Sequence, residues 1–325
     1  MDGKALRIVF MGTPDFAVAS LKKLVDEGYQ VVGVVTAADK PAGRGQKVNQ
    51  SAVKRYADEK GLPVLQPEKL KDPAFIEALA ALKADLQVVV AFRMLPEMVW
   101  DMPRLGTFNL HASLLPKYRG AAPLNWAIIK GEKESGVTTF KLQHEIDTGN
   151  IIFQEKVEIG PDDNVEVLHD QLMDVGARLV VRTVDALAGG KLEMKAQEEL
   201  IAQGQVPTPA PKIFKDDCLI NWNCTCLQIK NLVRGLSPYP AAWTRLTDGE
   251  GKETSMKIYK VEIENTSEHP EPGRIESDLK GDLKIAAADG FISLKEVQLA
   301  GKKRMKTEDF LRGFQQITNY KAFGQ

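Results

Sequence analysis

Asn109 and His111 stand two residues apart in TFNLHAS, a segment whose pattern predicts a β-strand. Side chains in a strand repeat every second residue, so both point to one face. A neutral hydrogen-bond donor beside a titratable ring serves acyl-type transfer: the donor holds a developing oxyanion and the ring moves a proton. A carboxylate follows at Asp147, in EIDTG, between two further predicted strands, VTTFKLQ and NIIFQEKVEI. A carboxylate near an imidazole fixes its tautomer and favours its charged form, or holds a water that relays the proton. Each residue also has a plainer alternative. A lone histidine on an apolar strand is ordinarily a satisfied core residue, an Asn can satisfy a turn, and Asp-x-Gly is a common turn. No Ser or Cys stands in a G-x-S-x-G elbow, so the set is not a nucleophile triad. The remaining histidines are His144, next to the Asp147 segment, His169 in a predicted helix and His269 in a polar loop.

The elements that must position these residues alternate. LRIVFMG predicts a buried parallel strand, and TPDFAVASLKKLVDEG a helix with Thr13 as its cap and Pro14 at its first position. Further βα units follow through YQVVGVVT, SAVKRYADEKG, PVLQ, DPAFIEALAALK, DLQVVVAF and LPEMVWDM. Past the Asn109 strand come APLNWAIIKG, the two strands around Asp147, and a long amphipathic helix over NVEVLHDQLMDVGARLVVRTVDALAGG. Repeated βα units predict an α/β domain with a doubly wound, mostly parallel sheet of Rossmann-like form. The dinucleotide fingerprint G-x-G-x-x-G fails, because Gly12-Thr-Pro14-Asp-Phe-Ala17 places Pro and Ala at the second and third glycines, and Pro14 lacks the backbone donor a pyrophosphate needs. We place the first domain at 1–202, a Pro-rich semi-extended linker at 203–212 (QGQVPTPAPK lies across it) and a second domain at 213–325. In the second, one helix (CTCLQIKNLVRGL) precedes several short strands and a late helix at TEDFLRGF, the pattern of a small β-barrel.

Composition narrows the function. The chain has 325 residues, 43% of them hydrophobic, enough for two packed cores. No apolar run reaches the roughly 20 residues that span a bilayer, and the N-terminus lacks a secretory signal pattern, so a cytoplasmic protein with no membrane contact is expected. Cys218, Cys224 and Cys226 are spaced C-x5-C-x-C, which is neither a metal nor a redox pattern, and no other cluster has metal-ligand spacing. With a net charge of −1 there is no global field to draw nucleic acid; 213–325 carries 17 Lys and Arg against 16 Asp and Glu. Any nucleic-acid contact must therefore use local patches, and two exist: Lys40, Arg44, Lys47, Lys54 and Arg55 around ADKPAGRGQKVNQ, and Lys302, Lys303, Arg304 and Lys306. That loop is long for a βα connection, usually about 2–6 residues.

NLHASLLPKYRG with its downstream DTG, joined by FMGTPDFAV, DKPAGRGQKV, SPYPAAWTRL and QLAGKKRM, resembles the folate-dependent formyltransferases over nearly the whole chain. The resemblance implies transfer of a formyl group from 10-formyltetrahydrofolate, a co-substrate, to an amine, with Asn109, His111 and Asp147 catalytic. It implies that Ser113, Leu114, Leu115 and Pro116 contact the folate, and that Phe16 lines a side-chain pocket unless it is core. The loop and second half resemble the tRNA-modifying members. This implies initiator methionyl-tRNA as the acceptor in translation initiation, a barrel of oligonucleotide-binding (OB) type, a monomer, and tRNA contacts at Arg44, Lys47, Lys302, Lys303 and Arg304. An amino-sugar formyltransferase, a formyltetrahydrofolate hydrolase and a non-catalytic RNA-binding protein are the competing readings. One departure from the family pattern stands in AFRMLPEMVW, where Arg93 and Met94 replace a small, glycine-containing stretch.

Overall fold

The structure is a computed structural model that describes residues 2–42, 47–190, 192–264, 266 and 270–324. Its elements run β1 (Arg7–Gly12), α1 (Asp15–Asp26), β2 (Gln30–Val35), β3 (Lys40–Ala42), β4 (Lys47–Asn49), α2 (Ala52–Glu59), β5 (Val64–Leu65), α3 (Pro73–Ala81) and β6 (Leu86–Val90). They continue α4 (Glu97–Trp100), β7 (Thr107–His111), β8 (Arg119–Gly120), α5 (Pro123–Ile129), β9 (Glu134–Lys141), β10 (Ile151–Glu158), α6 (Val165–Gly189), α7 (Gln197–Ala202) and β11 (Pro209–Ala210). The last part holds α8 (Cys226–Leu236), β12 (Ala242–Asp248), β13 (Glu253–Glu264), β14 (Ile275–Ser277), β15 (Leu283–Ala286), β16 (Phe291–Leu299), β17 (Met305–Lys306), α9 (Thr307–Gly313) and β18 (Tyr320–Phe323). The chain forms two compact units. One is Met1–Ala121, Glu134–Glu158 and His169–Ala210; the other is Ala122–Lys133, Ile159–Leu168 and Pro211–Gln325.

The first unit is built on a seven-stranded sheet in the order β10-β9-β7-β6-β1-β2-β5. The pairs from β7 through β5 are parallel, whereas β9 is antiparallel to both β7 and β10. Central strands β1 and β6 are apolar almost throughout because both faces are covered. On one face Val9, Met11, Val35 and Val89 pack with Phe75 and Leu79 of α3 and with Val99 of α4. The helix after β1 differs in one detail from expectation. Thr13 does not cap it; Pro14, in an extended conformation, takes the cap position, and α1 begins at Asp15. An acidic first residue suits the positive end of the helix dipole. The basic loop is likewise not wholly irregular, since β3 and β4 pair antiparallel. Two residues of the Pro-rich segment, in β11, pair in parallel with β8.

The second unit is an antiparallel sheet in the order β14-β15-β16-β13-β12-β18, with β17 added beside β16. Gly273, just before β14, donates to the carbonyl of Ala286 and accepts from the amide of Ala322 on β18, both at 2.9 Å. This contact brings the two edges together into a nearly closed barrel, the form expected of an OB-type domain. α8 begins with a capping box, in which Thr225 and Gln228 satisfy each other's backbone donors. Its Ile229, Val233 and Leu236 pack on Met256, Ile258, Ile292 and Leu294 of the barrel.

Candidate active site

The site is organised by the C-terminal half of β7. Asn109 lies between Val89 of β6 and Phe140 of β9, and His111 lies opposite Thr138 of β9. The strand periodicity therefore does place both side chains on one face. His111 is 6% exposed and Asn109 half-buried. The imidazole Nε2 lies 2.8 Å from the carbonyl oxygen of Tyr118. A carbonyl only accepts, so Nε2 carries the proton, and in the neutral ring Nδ1 is left as the open base. Nδ1 faces the Asp147 carboxylate, with Oδ2 3.8 Å away. That separation is beyond a hydrogen bond, so the Tyr118 carbonyl, not Asp147, fixes the tautomer. Asp147 is positioned to stabilise the ring when Nδ1 takes a proton. Its Oδ2 accepts from the amide of Gly120 at 3.0 Å. The Asn109 side chain makes no hydrogen bond among the described residues, so an amide and a ring nitrogen are left open on one strand face.

Asp147 sits at φ 56 and Tyr118 at φ 59. For residues other than glycine this left-handed backbone costs on the order of 1–3 kcal/mol and persists only where the surroundings enforce it. Here they do. The chain from Ser113 to Gly120 folds back over the strand, with a cis peptide at Leu115–Pro116. Ser113 Oγ donates to the carbonyl of Lys117 at 2.6 Å, while the carbonyl of Ser113 accepts from Thr138 Oγ1 at 2.6 Å. The Leu115 amide donates to Thr138 Oγ1, and its carbonyl accepts from Gln154 Nε2 at 2.8 Å. Leu115 is fully buried with Phe140, Ile151 and Leu200. Of the four SLLP residues, only Leu114 has a side chain that remains half-exposed. It lies over Gly136, where an added Cβ would meet Leu114 Cδ2 at 2.5 Å. Ser113, Leu115 and Pro116 are buried, and the backbone groups named above are already paired, with Thr138 of β9, Gln154 of β10 and, for the Lys117 carbonyl, the Ser113 hydroxyl.

The other residues singled out in the sequence are dispersed. Phe16 is buried and meets the His169 ring edge-to-face at 5.4 Å. His144 is 73% exposed, against Trp100 and Glu97. Arg93 turns to the carbonyls of Pro67 and Glu68, while Met94 is exposed. Arg44 and His269 lie outside the described residues. Lys47 stands on β4, paired through the backbone with Ala42. Lys54 pairs with Asp58, and Arg55 donates to the carbonyl of Gln50. On the barrel, Lys302 and Lys303 are exposed and make no ion pair among the described residues. Arg304 differs: its guanidinium pairs with Glu296 and stacks over the Tyr259 ring at 4.4 Å. Among the described residues no group of three metal-ligating side chains gathers, and no helix is long and apolar enough to cross a membrane. Cys218 and Cys226 are buried and Cys224 half-buried.

Sequence reasoning missed four residues: Tyr118, Thr138, Gln154 and Gln197. The first acts through a backbone carbonyl, which every residue has. The others act through side chains distant in sequence from the groups they hold, and no spacing signals them.

A mostly parallel doubly wound sheet followed by a nearly closed antiparallel barrel is the architecture of the formyltransferases. The chain belongs to that family: residues 6–184 match the formyl transferase model and residues 212–315 the model of its C-terminal domain. It is 60% identical to the methionyl-tRNA formyltransferase of Parabacteroides distasonis over 322 residues, 98% of this chain and 99% of that one. Among solved structures, HypX from Aquifex aeolicus in complex with tetrahydrofolic acid matches with a TM-score of 0.61 at 16% identity. That match covers 96% of this chain, which spans about half (47%) of HypX. WlaRD, a sugar 3N-formyltransferase solved in the presence of dTDP and 5-N-formyl-THF, matches with a TM-score of 0.63 at 20% identity over 92% of this chain and 99% of that one. At these identities the likeness to both structures is one of fold.

Proposed function

We propose that this chain transfers the formyl group of 10-formyltetrahydrofolate to the α-amine of initiator methionyl-tRNA, in translation initiation, acting as a cytoplasmic monomer. The observation that carries the reading is His111: its Nε2 is committed to the Tyr118 carbonyl, and its Nδ1 faces Asp147 on the strand face that also bears the Asn109 amide, which has no hydrogen-bond partner among the described residues. The near full-length relative at 60% identity supports methionyl-tRNA as the acceptor.

An α-amine titrates at roughly 7.7–8.0, so a useful neutral fraction exists near neutrality and a strong base is unnecessary. As the amine nitrogen bonds to the formyl carbon, negative charge collects on the formyl oxygen, and Asn109 donates to it. An amide favours that charge over the neutral carbonyl because it is oriented in advance. His111 Nδ1 accepts the proton shed by the new nitrogen, with Asp147 stabilising the imidazolium. The same proton then passes to the folate nitrogen as the old carbon–nitrogen bond breaks, so the enzyme ends as it began. Leu114, the half-exposed side chain of the SLLP turn, forms an apolar wall for the pterin ring, and its buried neighbours hold it there. Arg44 and Lys47 of the loop, with Lys302, Lys303 and Arg304 of the barrel, contact the tRNA. Arg44 holds phosphate or stacks on a base.

The test is formyl transfer from 10-formyltetrahydrofolate to initiator methionyl-tRNA, elongator methionyl-tRNA, uncharged tRNA and a UDP-amino sugar. Product confined to initiator methionyl-tRNA is expected. Transfer to the sugar alone would overturn the acceptor, and folate release without transfer would indicate a hydrolase.

A further inference from the structure

We propose that Gln197, gripped by Arg119, is a positioning residue that holds the Asp147 loop in its catalytic conformation. This rests on the role given to Asp147 above. Gln197 opens α7 and is fully buried. Two long-range contacts put it there. Just before the helix, Lys195 exchanges both backbone hydrogen bonds with Ile151 of β10, and within the helix Leu200 packs into the cluster of Leu115, Phe140 and Ile151. The Gln197 amide uses all of its hydrogen-bonding capacity. Nε2 donates to the carbonyls of Asp147 and Gly149, each at 2.9 Å. Oε1 accepts from Arg119 Nε at 3.1 Å and Nη2 at 2.6 Å. Guanidinium only donates and carbonyls only accept, so the orientation of the amide is forced by its partners.

The consequence for Asp147 is direct. Its left-handed backbone is held at the carbonyl by Gln197, while its carboxylate is held by the amide of Gly120. Arg119 and Gly120 are adjacent, so one dipeptide grips the loop twice, once directly and once through Gln197. That dipeptide is itself fixed from the other side. The Arg119 amide donates to Thr208 at 3.0 Å and the Ala121 amide to Ala210 at 2.8 Å. At the far end of the loop, Gly149 approaches so closely that an added Cβ would stand 1.7 Å from the carbonyl oxygen of Lys141. The loop therefore has a fixed end and a clamped middle. Removing the clamp frees the one residue whose 3.8 Å distance to His111 Nδ1 matters.

Two variants separate the interactions. Gln197→Glu keeps an acceptor for Arg119 and loses both donors to the loop. Gln197→Met keeps the volume and loses every hydrogen bond. Both are expected to lower kcat by about 10- to 100-fold, the scale of a small misplacement of a reacting group. KM for folate and for methionyl-tRNA should stay within about twofold of wild type, because Gln197 touches neither in this reading. The 15N spectrum of His111 should still report a proton on Nε2, since Tyr118 is untouched. Wild-type kcat in both variants would overturn the proposal. So would a loss shared by kcat and KM with a changed His111 spectrum, or failure of both variants to fold, each of which would make Gln197 a general fold residue. Asp147→Asn is measured beside them. If it retains full activity, the reading of the carboxylate fails; if it is impaired while both Gln197 variants are active, only the present proposal fails.

Discussion

The Asp147 loop and the basic end of the barrel both carry charge, but they hold it in opposite ways. At the loop the groups that hold its conformation are buried or nearly so, and each has a partner: His111 Nε2 with Tyr118, the Asp147 carboxylate with Gly120, Gln197 with Arg119. Around Lys302 and Lys303 the side chains stand in solvent, while Arg304 pairs with Glu296 and Lys295 with Glu262. Chemistry on a formyl carbon needs fixed atoms, because a proton moves over about 3 Å. Binding a polyanion needs charge at roughly the right place, and loose side chains serve. Rigidity thus marks the first region and free charge the second.

The sharpest way to break this contrast is at His111. His111→Ala should lower kcat by about 10²–10⁴, and Asn109→Ala by about 10²–10³, in a single-turnover formylation assay. A double variant with full activity would remove the site altogether. The turn that supports them is a packing device, so Leu115→Ala should destabilise the first unit by about 2–5 kcal/mol in urea unfolding.

On the barrel the effects should be smaller and salt-dependent. Replacing Lys302 and Lys303 by Ala should weaken tRNA binding across sequences and reduce the slope of log K against log salt by about 2. Arg304→Ala should change that slope less than either lysine does, because its guanidinium is already paired with Glu296 and stacked on Tyr259. Equal slopes for all three would show that paired and free cations contribute alike, and the contrast would fail.

The smallest expected effect concerns the cysteines. Burial, then the Asp289 carboxylate, pushes the Cys226 thiol up to about 12, from an ordinary value of 9.0. Iodoacetamide at pH 8 should therefore modify half-buried Cys224 well before Cys226, as peptide mapping would show. The unfolded thiol loses its proton first, so the folded state binds more protons above pH 9, and this group's contribution to stability falls as pH rises from about 9 towards 12.

The sequence by itself determined the fold class, an α/β sheet followed by a barrel, the strand that carries Asn109 and His111, and the shared face of those two side chains. These follow from local periodicity, which acts over a few residues and is written in the chain. Asp147 was legible only through the family resemblance, since an Asp-x-Gly turn carries no chemical signal. The tertiary structure alone decided which ring nitrogen of His111 is open, because the deciding group is the backbone carbonyl of Tyr118. It also decided that Leu115 is core while Leu114 stays half-exposed, that Arg304 is a paired cation while Lys302 and Lys303 have no ion pair among the described residues, and that Gln197 reaches Asp147 fifty residues away. Hydrogen bonds of that kind join groups common to every residue, or side chains far apart in sequence, so only the folded chain selects them.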